Sequence, residues 1–252
     1  MDDDLSKDRN KDVRMNQFQF QTVPNIIAGL GSIQELRTIL SQHDYRKALL
    51  VTDAGMIQHQ LHLPILDILD QLSLETIIYS DIQADPPEHI VLEAVDFATQ
   101  EQIDVIIGFG GGSSMDVAKI IALLAHPKQQ QKLSEIYGVN QAKSPRLPLI
   151  LIPTTAGTGS EVTPFAVITD SEDHTKYPLA DYALTPDVAI IDPQLVMSVP
   201  ASVTADTGMD VLTHAIESYV SVMASDYTRG LSLQAIKIVF EYLEKSVKTG
   251  DA

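Results

Sequence analysis

Short apolar runs recur along the first three quarters of the chain, most of them followed by a stretch with helical spacing. Residues 47–53 (KALLVTD), 76–81 (TIIYSD), 104–109 (DVIIGF), 147–153 (LPLILIP) and 188–192 (VAIID) read as strands. They are apolar almost throughout rather than alternating, the pattern of strands covered on both faces of a parallel sheet. Residues 57–72, 88–102 and 114–125 carry helical spacing. This repetition predicts βαβ units and an α/β domain built on a doubly wound, mostly parallel sheet. Beyond Asp192-Pro193 no further strand is expected, and two helices are predicted over 202–222 and 227–247. The expected organisation is a solvated, poorly ordered tail over 1–15, an α/β domain over 16–193, and an all-helical part over 194–252.

Composition narrows the function classes. With 34 acidic and 17 basic side chains the chain carries a formal net charge of −17. Such a balance disfavours nucleic-acid binding, which needs clustered Lys and Arg, and docking on anionic membranes. The sequence contains no cysteine, so disulfides, thiolate metal sites and Cys nucleophiles are excluded. The first fifteen residues lack the apolar core of a secretory signal, and no run is long enough to span a bilayer. A cytoplasmic location follows as the expectation, with the tail as an alternative address to an assembly.

Two loops carry candidate chemistry. Gly110-Gly111-Gly112-Ser113 follows a strand and opens a helix. Glycines allow close backbone approach, and the free N–H groups of a helix start suit a pyrophosphate, with the Ser113 hydroxyl as a further donor. The run does not fit the GxGxxG fingerprint, so an ordinary Rossmann reading is not licensed. A tight turn with glycines relieving crowding is the plain alternative. A second loop, 153–163 (PTTAGTGSEVT), also follows a strand and is dense in hydroxyls. Loops at the C-terminal strand ends border the crevice where open α/β sheets bind ligands. Asp53, ending the first clear strand, is placed to accept hydrogen bonds from a ribose and to repel a 2′-phosphate; spacing alone fits equally a turn-forming Asp.

In the helical part, Asp210 and His214 stand at i and i+4, on one face and within reach of a common ion. Carboxylate and imidazole suit Fe2+ or Zn2+, and a simple Asp–His hydrogen bond is the alternative. Their apolar neighbours (Met209, Val211, Leu212, Ala215, Ile216) predict a largely buried pair. The other histidines are expected on surfaces or turns.

Taken together, four segments resemble the iron-containing (group III) alcohol dehydrogenases: 108–119 (GFGGGSSMDVAK), 152–163 (IPTTAGTGSEVT), 176–193 (KYPLADYALTPDVAIIDP) and 207–221 (TGMDVLTHAIESYVS). The likeness runs from about Phe18 onwards and looks closest to the 1-propanol dehydrogenase branch of propanediol utilisation. It implies a dehydroquinate synthase-like architecture, a dinucleotide domain followed by a helical domain, with a metal in the cleft between. By position, Asp53 would face the adenosine ribose. Gly111, Gly112 and Ser113 would bind the pyrophosphate, with Asp116 on the same helix. Thr154, Thr155, Thr158 and Thr163 would line the cleft, and Lys176 would reach the nicotinamide ribose. Asp210 and His214 would be the first two ligands of Fe2+, with Zn2+ as the alternative.

The implied reaction is hydride exchange between NAD and a short primary alcohol such as 1-propanol, or the corresponding aldehyde. The implied setting is the cytoplasm or a bacterial microcompartment, and the implied assembly a homo-oligomer. In this family two further histidine ligands follow later in the chain, whereas no His follows His214 here. The helical part therefore reads as incomplete and the chain as C-terminally truncated. A catalytically silent nucleotide-binding fragment, or half of a split enzyme associating with a missing C-terminal part, is the rival expectation.

Overall fold

A computed structural model describes residues 18–171 and 175–250. The expected tail, and His174, lie outside the described residues. Six strands form one sheet in the order β1-β9-β6-β4-β2-β3, every neighbouring pair parallel: β1 (Asn25–Ala28), β2 (Lys47–Asp53), β3 (Glu75–Ile82), β4 (Val105–Gly110), β6 (Leu149–Pro153) and β9 (Val188–Ile191). The central strands β2, β4 and β6 are buried almost end to end, which is why their sequences run apolar without alternation.

Helices cover both faces. On one, α4 (Glu88–Gln100) and α5 (Gly112–Leu124) pack Val91, Ala94, Met115 and Ala118 against Leu49, Val51, Ile106 and Leu151. On the other, α1 (Glu35–Ser41) and α3 (Leu63–Gln71) set Leu36, Ile65 and Leu69 against Leu50, Ile107, Phe109 and Ile152. From β2 the chain crosses to β3 on one side and then returns to β4 on the other. Right-handed crossovers in opposite directions put their helices on opposite faces. The reversal places a topological switch point between β2 and β4, at their C-terminal ends.

Three departures from the sequence reading have local causes. The stretch 57–72 is two helices, α2 (Ala54–Gln58) and α3, because Gln60 takes a left-handed φ of 58° between them and Pro64 starts a new first turn. A second, small sheet of β5 (Gly138–Val139), β8 (Lys176–Ala180) and β7 (Phe165–Thr169) was not expected; β7 and β8 form an antiparallel hairpin whose Pro178 masks the strand pattern. His62, expected on a helix surface or in a turn, lies in the turn before α3 but is buried there beside the Met56 carbonyl, 3.2 Å from Nδ1.

The helical part is a pair, α6 (Ala201–Val220) and α7 (Asp226–Thr249). Ser225 caps α7 by accepting from the Thr228 N–H, while the Thr228 hydroxyl accepts from the Ser225 N–H. The two helices pack chiefly on each other, with Gly208 seated under Leu243. Leu231, Leu233, Phe240, Ile216 and Tyr219 remain exposed. Among the described residues no helix is long and apolar enough to cross a membrane.

Candidate functional site

The switch point brings three loop starts together. Leaving β2, Asp53 takes an extended conformation and caps α2: Oδ1 accepts from the Gly55 and Met56 N–H groups at 2.9 and 3.2 Å. Its second oxygen lies 3.4 Å from the Ser114 hydroxyl, which donates to it across the gap between β2 and β4. The capping alternative therefore describes one oxygen of Asp53, and the other faces the glycine turn.

Leaving β4, Gly110 adopts φ 145°, a region closed to most side chains, and a Cβ there would stand 2.8 Å from the Ser114 oxygen. Gly111 is the N-cap of α5 and contributes no side-chain cap. The first N–H groups of that helix thus lack the side-chain partner that capping residues usually give.

The hydroxyl loop follows β6 and lies opposite this turn. A Cβ on Gly111 would meet Thr155 at 3.8 Å, and one on Gly112 would meet Thr158 Cγ2 at 2.9 Å. Gly112 thus has no room for a side chain without Thr158 shifting, whereas at Gly111 a Cβ would fit in ordinary contact with Thr155. Thr154 is buried at the end of β6, and its hydroxyl has no hydrogen-bond partner among the described residues. Buried polar atoms are almost always paired, so this orphan points to a partner from outside the chain. Thr158 accepts from the Ser160 N–H at 3.1 Å. Gly111, Gly112, Ser113, Thr154, Thr155 and Thr158 are placed at this one end of the sheet, with Asp53 at its border.

Asp116 lies on α5 with the glycine turn, as the resemblance implies. Its Oδ1 accepts from the Ser160 hydroxyl at 2.6 Å and its Oδ2 from the Val167 N–H at 2.9 Å, so both oxygens face protein groups. Burial raises its pKa against the pull of Lys119 and these hydrogen bonds. Lys119 is fully buried, with Nζ donating to Ser160 Oγ at 2.8 Å, to the Phe165 carbonyl at 2.5 Å, and at 3.5 Å to Thr163 Oγ1. Sequence reasoning passed over Lys119; its signal was a cation three residues from an acid inside an otherwise apolar helix (MDVAKIIALLA). Lys176 begins β8 and pairs with Asp85 at 2.6 Å, both side chains largely exposed.

Asp210 and His214 meet as the i,i+4 spacing predicts, with His214 Nε2 at 3.3 Å from Asp210 Oδ1. The pair is not buried: its side chains are 42% and 58% exposed. The apolar neighbours misled because α6 packs mainly on α7, leaving Met209 and Ile216 in solvent as well. A catalytic metal needs three or more protein ligands, and no group of three candidate ligands occurs among the described residues. The pair alone does not meet that requirement.

The model for iron-containing alcohol dehydrogenases matches residues 24–193, which hold both loops, and the model for the C-terminal part of that family matches 204–252, which holds the Asp210–His214 pair. The chain belongs to the iron-containing alcohol dehydrogenase family. Among its relatives, the aldehyde-alcohol dehydrogenase of Streptococcus pneumoniae serotype 4 is 45% identical over 258 residues, covering 94% of this chain and 28% of that protein. The 1-propanol dehydrogenase PduQ of Salmonella typhimurium is 42% identical over 240 residues, covering 94% of this chain and 58% of its own. The crystal structure of sulfoacetaldehyde reductase from Bifidobacterium kashiwanohense in complex with NAD+ superposes with a TM-score of 0.85 at 30% identity, over 93% of this chain and 61% of that one. The chain therefore spans less than two thirds of each of these proteins.

Proposed function

We propose that this chain is the dinucleotide-binding part of an NAD-dependent alcohol dehydrogenase that interconverts a short primary alcohol, such as 1-propanol, and its aldehyde by hydride transfer. The observation that carries the reading is the opposition of the uncapped α5 start at Gly111 to Thr155, with the orphaned Thr154 hydroxyl beside it. Bare N–H groups at a helix start favour a phosphate by hydrogen bonding and by the helix dipole together. A bound nicotinamide supplies the hydride acceptor in alcohol oxidation and the donor in aldehyde reduction. The chain's own residues would anchor and orient it. The glycine turn would take the pyrophosphate, the Asp53 oxygen that the Ser114 hydroxyl approaches would also accept from a ribose hydroxyl, and Thr154 and Thr155 would form the wall nearest the ring. Lys176 reaches a ribose only by leaving Asp85. Asp210 and His214 would be this chain's two ligands to a metal such as Fe2+ or Zn2+. A cytoplasmic, oligomeric enzyme in propanediol-type metabolism is the setting this reading favours.

Titrating the 252-residue chain with NADH and following nicotinamide fluorescence tests it: saturable binding is expected, and a linear response up to millimolar NADH removes the cofactor reading. A second reading is favoured by the two-donor pair and the exposed apolar face of α7: a nucleotide-binding fragment that turns over only with a partner polypeptide. Propionaldehyde reduction by the purified chain alone would exclude it.

Asp53 offers a sharper test of the cofactor's identity. Asn caps helices as well as Asp does, so Asp53→Asn keeps α2 while removing the charge that would repel a 2′-phosphate. The ratio of NADPH to NADH affinity is expected to rise roughly tenfold, the size of one modest charge contact. An unchanged ratio would mean that Asp53 serves the cap alone.

A further inference from the structure

The hydroxyl loop is held to α5 by one buried network. Lys119 Nζ reaches Ser160 Oγ, Thr163 Oγ1 and the Phe165 carbonyl, all on the stretch that leads from the loop into β7. Asp116, one turn earlier on α5, takes the Ser160 hydroxyl with one oxygen and the Val167 N–H with the other. Lys119 Nζ and Asp116 Oδ1 lie 3.6 Å apart. Two side chains of one helix thus fix four consecutive anchor points on the far segment. The same helix carries the glycine turn at its N-terminus, so the width between turn and hydroxyl loop is set through this junction.

We infer that Lys119 is a positioning residue for the cofactor cleft, locking the 154–163 loop at the spacing from the glycine turn that a dinucleotide requires. Lys119 acts through Ser160 and Thr163 rather than on the cofactor itself. The inference rests on the cofactor reading for its consequence, but not for the lock itself.

The lock has a pH signature. Burial lowers the Lys119 pKa from its ordinary 10.5 to about 8, against the opposing pull of Asp116 on its own helix and Glu161 on the facing turn; those are the charged groups that act on it. Both acids are themselves pushed upward by burial. When the loop lifts, the amine returns to water and holds its proton up to about 10.5. Between about 8 and 10.5 the open loop therefore binds more protons than the closed one, and closure strengthens as pH rises.

Hydrogen exchange on the full chain tests the lock without any ligand. Lys119→Met keeps the volume and removes the donors. Protection of amides 154–163 in this variant at pH 7 is expected to fall roughly tenfold to a hundredfold, because Asp116 and the acceptors on Ser160 and Phe165 are left buried without their partner, while β2 and β4 stay protected. In the unaltered chain that protection, corrected for intrinsic rates, is expected to climb by up to about tenfold per pH unit above pH 8, and in Lys119→Met to stay flat. A merely space-filling Lys119 would not produce the pH slope. NADH affinity should weaken in parallel, again by about tenfold or more. Unchanged loop protection in Lys119→Met overturns the inference, whatever NADH does. Should that variant not fold, Ser160→Ala decides, with a smaller loss of loop protection expected and none overturning. Lost protection in a chain that never binds NADH leaves the lock standing and removes the cofactor reading.

Discussion

Gly111→Val should leave the fold intact and abolish dinucleotide binding. Gly111 has φ −76° and ψ −175°, extended backbone that valine adopts without strain. A Cβ there meets nothing nearer than Thr155 at 3.8 Å. Its two methyl groups would project into the space between turn and hydroxyl loop. Valine is a poorer N-cap than glycine, so a loss of roughly 1 kcal/mol without loss of the fold is expected. NADH affinity is expected to fall by about a hundredfold or more, as overpacking a filled site costs up to about 3 kcal/mol. Paired denaturation and fluorescence titration separate the two effects. Gly112 would not serve, because a Cβ there already strikes Thr158 at 2.9 Å. Retained affinity in Gly111→Val would mean that no ligand sits between the turn and the hydroxyl loop, and the turn is only a tight connection.

Gly108→Ala is expected to do the reverse, damaging the fold first. Gly108 lies in the middle of β4, opposite Val51 of β2 and Leu151 of β6, directly beneath α5. A Cβ would stand 2.6 Å from Leu151 Cδ2 and 2.8 Å from the Ala118 Cβ. The leucine end can swing aside; the alanine carbon is fixed to its helix, so α5 must rise. We expect a loss of about 2–3 kcal/mol, typical of adding a methyl to a closed core, partly offset by the lower chain entropy of unfolded alanine. The readout is a lower denaturant midpoint at an unchanged slope. A midpoint equal to that of the unaltered chain would show that the helix does not sit so close.

These two glycines also show what was legible in the sequence and what was not. The buried strands could be read because parallel, doubly covered strands are apolar at every position, as in LPLILIP. The two loops could be located because each directly follows such a run. Which glycine leaves room for a side chain and which does not depends on the distance between β4 and β6, and no one-dimensional pattern carries that. The β7–β8 hairpin escaped because its strands alternate exposed and buried residues and contain Pro178. That both Asp116 oxygens meet protein groups could not be read, because its partners, Ser160 and Val167, lie more than forty positions away. Asp210 and His214 could be paired from their spacing alone, since one helix fixes it. Their exposure could not be foreseen, because apolar neighbours promise burial only where another element arrives to cover them.

An all-parallel sheet also has a quiet end. Because every strand of the main sheet runs the same way, both candidate ligand loops emerge at one rim, and the strand beginnings gather at the other. There a hollow of about 780 Å³ opens between Lys47, Glu101, Asp104 and His126. A chain without a native thiol can take a single cysteine on that rim, at Arg46 for instance, as its one point of dye attachment. A reporter tethered there would sit a strand length from the glycine turn, close enough to register energy transfer from a nicotinamide yet too far to obstruct one.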